Sequence, residues 1–203
     1  MTIVAVCGFQ GAGKDTIADY LIKHHNFKKL SFAGAVKDIA SIVFGWDREM
    51  LEGSTQTSRK EREIVDKWWA EKLQIPNLSP RYVLQYFGTD LFRNHFHQDI
   101  WLRIVERKLN SHPNIVITDC RFPNEIEMVK SHGAKLINVQ RDMPEWFDDY
   151  VKGIDCPEAN KLHPSETSWI REKFDYVIKN NKNINELEEA IKKIIISINN
   201  VEK

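Results

Sequence analysis

Residues 3–16 read Ile-Val-Ala-Val-Cys-Gly-Phe-Gln-Gly-Ala-Gly-Lys-Asp-Thr. The apolar run 3–7 has the character of a buried strand, and Gly8, Gly11 and Gly13 follow it in a turn leading to a helix near Asp15. Glycines let the backbone turn sharply and aim successive N–H groups inward. Lys14 adds a mobile cation, and the helix start adds the positive end of its dipole. These contributions converge on a phosphate cradle. The alternative is a tight strand-to-helix turn with a surface lysine, but the glycine spacing and the lysine together favour the cradle. The expected ligand is a nucleotide polyphosphate, held by Gly8, Gly11, Ala12, Gly13, Lys14, Asp15 and Thr16.

The residue after the lysine departs from the common pattern. Most such loops carry a Ser or Thr there, whose hydroxyl ligates Mg²⁺. The carboxylate of Asp15 can bind the hard cation directly or through water, but it also sets negative charge beside bound phosphate. It therefore needs the metal or a nearby cation as compensation. Thr16 can supply a hydroxyl if the helix starts slightly differently. Asp15 and Asp119 are the expected metal ligands.

A chain of 203 residues is long enough for one well-buried core with a small lid and short for two full domains. Lys plus Arg and Asp plus Glu number 29 each, so no overall basic field favours nucleic acid. The three cysteines Cys7, Cys120 and Cys156 are far apart, which argues against a disulfide framework or a zinc site and for a reducing compartment. The N-terminus goes straight into a strand, and no apolar stretch approaches membrane-spanning length. These features predict a cytoplasmic protein whose partners are small molecules. A homodimer is compatible with the sequence.

Beyond the cradle, Ile17, Ala18, Leu21 and Ile22 share a helical face, 27–32 is a short strand candidate, and 35–44 reads as a helix with Val36, Ile39, Ala40 and Val43 inward. Residues 46–78 break the rhythm with a polar turn and a charged stretch in which Ile64, Trp68 and Leu73 fall at helical spacing. They are expected to be an acceptor-side insertion, although a solvated surface helix is the commoner outcome. Ser79-Pro80 starts a helix that should run to Gly88, and a second should span about 98–109. Residues 114–119 are a buried strand ending in Asp119, 125–132 a helix, 135–139 a strand and 176–178 a last strand. Leu187, Ile191, Ile194, Ile195 and Ile198 mark an amphipathic C-terminal helix, and 142–168 reads as irregular. Strands alternating with helices predict an α/β doubly wound, mainly parallel sheet in a single domain 1–203, with a lid at 142–163.

Phosphoryl transfer also needs cations that hold a second substrate in line and neutralise the moving charge. Asp119 and Arg121 follow the buried strand and should reach the crevice together, as metal-water ligand and bidentate phosphate grip respectively. Alternatively Asp119 caps a turn and Arg121 pairs with Glu125. Arg141, directly after the next strand, stands where a lid arginine would, or is solvated. Thr89 and Asp90 can bind base or sugar hydroxyls, or cap the second helix. Lys37 and Arg81 are further acceptor-phosphate candidates. His95 and His97 are two apart and make no metal site, a solvated loop position is the default for His163, and Trp68-Trp69 reads as packing.

Taken in order, these motifs resemble the phage-type deoxynucleoside monophosphate kinases over nearly the whole chain. The resemblance is carried by Gly13-Lys14-Asp15-Thr16, Ala33-Gly34 with Lys37-Asp38, and Leu84-Gln85 with Gly88-Thr89-Asp90. Trp101, Asp119-x-Arg121, Gly133-Ala134 before the strand ending in Arg141, and His163-x-Ser165-Glu166 also carry it. It implies a nucleoside monophosphate kinase-like P-loop fold that moves the γ-phosphoryl of ATP, with Mg²⁺, to a deoxynucleoside monophosphate. Lys14, Arg121 and Arg141 would then be catalytic, with Arg141 also on ATP. Lys37, Arg81, Gln85, Thr89, Asp90, Asp119, Arg121 and Glu166 would bind the acceptor. Gly-Lys-Asp also resembles the cradle of phosphomevalonate kinases. Another small-molecule kinase, of phosphomevalonate or dephospho-coenzyme A type, and a non-catalytic nucleotide-binding module are the competing readings.

Overall fold

A computed structural model describes residues 1–162 and 164–201. In chain order the elements are β1 (Thr2–Cys7), α1 (Lys14–His25), β2 (Lys28–Leu30), α2 (Gly34–Phe44), α3 (Arg48–Glu52), α4 (Gln56–Glu61), α5 (Lys67–Leu73) and α6 (Pro80–Gln85). A π-helix (Tyr86–Asn94) and α7 (Ile100–Lys108) follow, then β3 (Asn114–Ile117), α8 (Pro123–Ser131) and β4 (Lys135–Gln140). The chain closes with α9 (Phe147–Val151), α10 (Pro157–Asn160), α11 (Pro164–Thr167), β5 (Tyr176–Lys179) and α12 (Ile184–Val201). Contacts divide it into two units. One combines Met1–Ser31 with the chain from Lys108 onward, and the other is Phe32–Arg107.

The first unit is built on a five-stranded sheet in the order β2-β3-β1-β4-β5, with every pair parallel. All six residues of β1 are buried, as a central strand covered on both faces requires. Val4, Val6, Val116, Ile137 and Val139 present one face of the sheet to Ile17, Ala18 and Leu21 of α1 and to Leu187, Ile191, Ile195 and Ile198 of α12. The three- and four-residue spacing of that α12 stripe keeps it on one side of the helix, and each buried Leu or Ile contributes about 1.5–3 kcal/mol. The expectation of an α/β parallel sheet is met, and both neighbours of β1 lead toward the loop that leaves its carboxyl end.

The second unit is helical, with Ala40, Leu51, Leu78 and Val83 at its centre and Phe44, Trp46, Met50, Trp69 and Phe87 around them. Its sequence was harder to read. Ile64, Trp68 and Leu73 are exposed, because 46–78 folds as three short helices that turn Leu51, Trp69 and Ile75 inward instead. Val43 is likewise exposed. The helix expected to stop at Gly88 continues as a π-helix through Asn94. Residues 142–168, expected to be irregular, contain three short helices. Among the described residues, no helix is long and apolar enough to cross a membrane.

Candidate active site

The loop between β1 and α1 has the cradle form. Gly11 and Gly13 adopt φ of 80° and 105°, which L side chains rarely reach. A Cβ on Gly8 would collide with the Val139 carbonyl oxygen, so close backbone approach requires glycine there. Helix α1 starts at Lys14 and directs its N-terminus at the loop. The Lys14 ammonium donates to the Gly8 and Phe9 carbonyls, both at 2.8 Å. Burial and then the Arg121 guanidinium push its pKa down from 10.5, against weaker pulls from Asp15 and Glu166. The Arg121 guanidinium thus disfavours the charge on Lys14, a repulsion that a bound anion would relieve.

Phe9 projects from this loop into an aromatic cluster, edge-on to Trp146 (6.0 Å), Phe147 (6.0 Å) and Trp169 (5.2 Å). The start of the expected lid is thus anchored on the cradle itself. Arg141 joins the loop in one cleft of about 340 Å³, lined with Phe9, Gln10, Gly11, Asp142 and Pro144. Its side chain is half exposed and lies 3.6 Å from Asp142. His163, at the far end of the expected lid, lies outside the described residues.

Asp119 follows β3 and accepts a hydrogen bond from the Ser31 hydroxyl at 2.6 Å. The side chain of Arg121 pairs with Glu166 at 3.2 Å, not with Glu125 as one reading anticipated. Glu125 is buried and instead accepts from the backbone N–H groups of Arg121 (2.9 Å) and Phe122 (3.1 Å). It fixes the main chain that carries Arg121, a role that sequence reasoning missed. The signal was available: a Glu three residues after Phe122, just inside a helix begun by Pro123, is the spacing of a capping carboxylate.

The Asp15 carboxylate is held by residues outside its own helix. Its Oδ1 accepts from Lys29 Nζ at 2.9 Å and from the Thr118 hydroxyl at 3.0 Å. Burial opposes its charge, but Lys29, Thr118 and Lys14 together hold its pKa below 3.8. The nearby cation that a carboxylate in this position needs is therefore Lys29. Among the described residues there is no preformed cluster of three metal-ligating His, Cys, Asp or Glu side chains. Asp15, Thr16 and Asp119 offer only oxygen donors, which suits an Mg²⁺ that arrives on phosphate and keeps several waters.

In the second unit, Thr89 and Asp90 are exposed on the π-helix, whose backbone is held by Trp101 Nε1 donating to the Gly88 carbonyl at 2.8 Å and by His95 at the Asp90 carbonyl. Gln85 and Arg81 are exposed on α6. Lys37 is buried and bonded to Glu52 at 3.0 Å. Arg62, which sequence reading passed over within a charged run, has its pKa lowered by burial and by Arg81, and its buried Nε has no hydrogen-bond partner among the described residues.

The sequence model of the family described as deoxynucleotide monophosphate kinase matches residues 49–191. The chain belongs to that family. It is 31% identical to a putative deoxynucleotide monophosphate kinase of Acanthamoeba polyphaga mimivirus over 98% of this chain and 97% of that protein. It is 29% identical to the deoxynucleoside-5'-monophosphate kinase of Escherichia phage T5 over 81% of this chain and 84% of that protein. Among solved structures, shikimate kinase from Aquifex aeolicus superimposes with a TM-score of 0.50 at 17% identity, covering 99% of this chain and 98% of that one, a likeness of fold alone. Membership in the deoxynucleotide monophosphate kinase family makes this chain an enzyme that phosphorylates deoxynucleoside monophosphates to diphosphates. It sets aside the phosphomevalonate, dephospho-coenzyme A and regulatory-module readings.

Proposed function

We propose that the donor is ATP and that its polyphosphate lies in the Gly8–Gly13 loop, with Lys14 on the transferring group. The observation that carries this is the loop geometry: Gly11 and Gly13 stand at left-handed φ, Gly8 is closed on the Val139 carbonyl, and Lys14 is bonded to the loop carbonyls at the start of α1. Together they form a glycine turn that offers a cation and a helix N-terminus to an anion. Lys14 neutralises charge as it spreads over the γ-phosphoryl oxygens. Arg121 grips the acceptor phosphate bidentately and aligns its oxygen for in-line attack. Arg141, already facing the loop, closes over the donor and excludes water when the 142–163 lid moves.

Asp15, Thr16 and Asp119 would hold Mg²⁺, directly or through water. Bound there, the ion would supply positive charge that offsets the charge on the phosphates. Glu166 orients Arg121, while Gln85, Thr89 and Asp90 recognise base and sugar, and Arg81 and Lys37 add positive charge for the acceptor. Buried free cysteines fit a reducing cytoplasm.

A coupled ADP-release assay with ATP and each ribo- and deoxynucleoside monophosphate tests this reading. Acceptor-dependent ADP release confined to deoxynucleotides is the expected result. Release without any acceptor dependence would remove Arg121 from its assigned place.

A further inference from the structure

Three amide side chains at the carboxyl ends of β4 and β5 have no part in the chemistry above, yet they converge on the phosphate loop. Asn138 is buried in β4 and donates from Nδ2 to the Cys7 carbonyl at 3.5 Å, at the point where the loop begins. Its Oδ1 accepts from Gln140 Nε2 at 2.8 Å. The Gln140 carbonyl in turn accepts the backbone N–H of Asn180 at 2.7 Å. Asn180 is buried just past β5 and donates from Nδ2 to the Ala12 carbonyl at 2.8 Å, where the loop ends. A Cβ on Gly13 would lie 2.6 Å from that same Nδ2, so glycine is needed here for the amide as well as for its φ.

In a trans peptide the C=O and the following N–H point in opposite directions. A carbonyl held toward Asn180 therefore turns the Gly13 N–H away from Asn180. With glycine on one side, the Ala12–Gly13 peptide has little intrinsic resistance to flipping. A flipped peptide replaces a donor with a carbonyl oxygen, which repels phosphate. We propose that Asn180 is a positioning residue for the donor nucleotide: its amide locks the Ala12–Gly13 peptide so that the Gly13 N–H faces the polyphosphate. Asn138 and Gln140 brace the loop entry and Asn180 itself. This rests on the reading that the donor polyphosphate occupies the loop.

The test uses Asn180→Leu, which keeps volume and removes the donor, and Asn180→Asp, which keeps shape and presents an acceptor to the Ala12 carbonyl. Both should raise KM for ATP and weaken calorimetric binding of inorganic triphosphate by about tenfold or more, the scale of one lost hydrogen bond to a charged group. KM for the acceptor should stay within about twofold, because the locked peptide is assigned to the donor polyphosphate and makes no contact assigned to the acceptor. A lowered Tm with unchanged ATP KM and triphosphate affinity means a packing residue only and overturns the proposal. So does an equal rise in both KM values. Should the variants fail to fold, the wild-type protein decides by NMR. The Gly13 amide must move strongly on triphosphate addition, and a silent Gly13 resonance during saturable binding rejects the idea. Triphosphate binding that perturbs Gly13 without acceptor-dependent transfer supports the positioning role while refuting the assigned reaction, so the two failures are separable.

Discussion

Arg121 Nη1 and Glu166 Oε1 meet at 3.2 Å, joining the residue just past β3 to a four-residue helix 45 positions later. The bond tethers the guanidinium whose positive charge lowers the Lys14 pKa, a repulsion that a bound anion would relieve. Because both partners are partly solvated (46% and 35% exposed), the bond is an orienting device with a stability contribution of about 0–1 kcal/mol.

Replacing Arg121 with Ala is expected to raise KM for the deoxynucleoside monophosphate far more than KM for ATP, and to lower kcat because the attacking oxygen loses its alignment. Glu166→Gln should move acceptor KM in the same direction with Tm nearly unchanged. Steady-state kinetics with each substrate varied separately provide the check. A change confined to ATP moves Arg121 to the donor side.

Lys14→Ala should reduce kcat by about 10²-fold or more, the scale of one preorganised charge stabiliser, with the circular dichroism spectrum unchanged. Among the described residues the side chain bonds only to loop carbonyls, so the sheet does not depend on it. Near-normal turnover by a folded variant contradicts the assigned role.

Asp15→Ser is expected to retain activity, since serine restores the common hydroxyl, whereas Asp15→Ala should need more Mg²⁺ for half-maximal rate. An unchanged Mg²⁺ titration for Asp15→Ala reduces Asp15 to the partner of Lys29. The carboxylate also makes stability depend on pH. Its folded pKa lies below 3.8, so its contribution is complete above the ordinary value and is lost as pH falls through the folded one. Asp15→Asn should flatten the acid limb of Tm against pH and leave the neutral region with no pH slope from this group.

Trp101→Phe removes the N–H that holds the Gly88 carbonyl while keeping a buried ring. The lost bond should cost about 0.5–1.5 kcal/mol, read from urea denaturation. Because Gly88 directly precedes Thr89 and Asp90, acceptor KM should rise while ATP KM holds. Equal effects on both substrates count against an acceptor role for this segment.

Much of the polypeptide around the phosphate loop is legible in the sequence alone, because the deciding physics is local. Glycines after an apolar run signal a turn through their backbone freedom, and Lys14 opens the helix that follows. The α12 stripe declares itself through its 3.6-residue period, and Asp119 sits at a strand end marked by three consecutive β-branched residues. Less was legible where competing local signals were nearly balanced. Gly88-Thr89-Asp90 is turn-like by composition, yet the carbonyl bond from Trp101 keeps it helical in a widened π form. Trp68 fits a helical stripe but is left outside because Trp69 packs against Phe44.

The sequence by itself therefore determined the glycine turn, the parallel α/β sheet and the strand ends that carry Asp119 and Arg141, since sterics and periodicity operate within a few residues. Tertiary structure alone decided which groups meet there. Lys29 became the counter-ion of Asp15 because β2 lies beside β3 in the sheet and brings the lysine back to α1. Glu166 reached Arg121 across 45 residues through the path of the chain, and Asn180 reached Ala12 across 168 residues because β5 closes the edge next to β4. Such partnerships follow from strand order and chain path, which no short window of residues encodes.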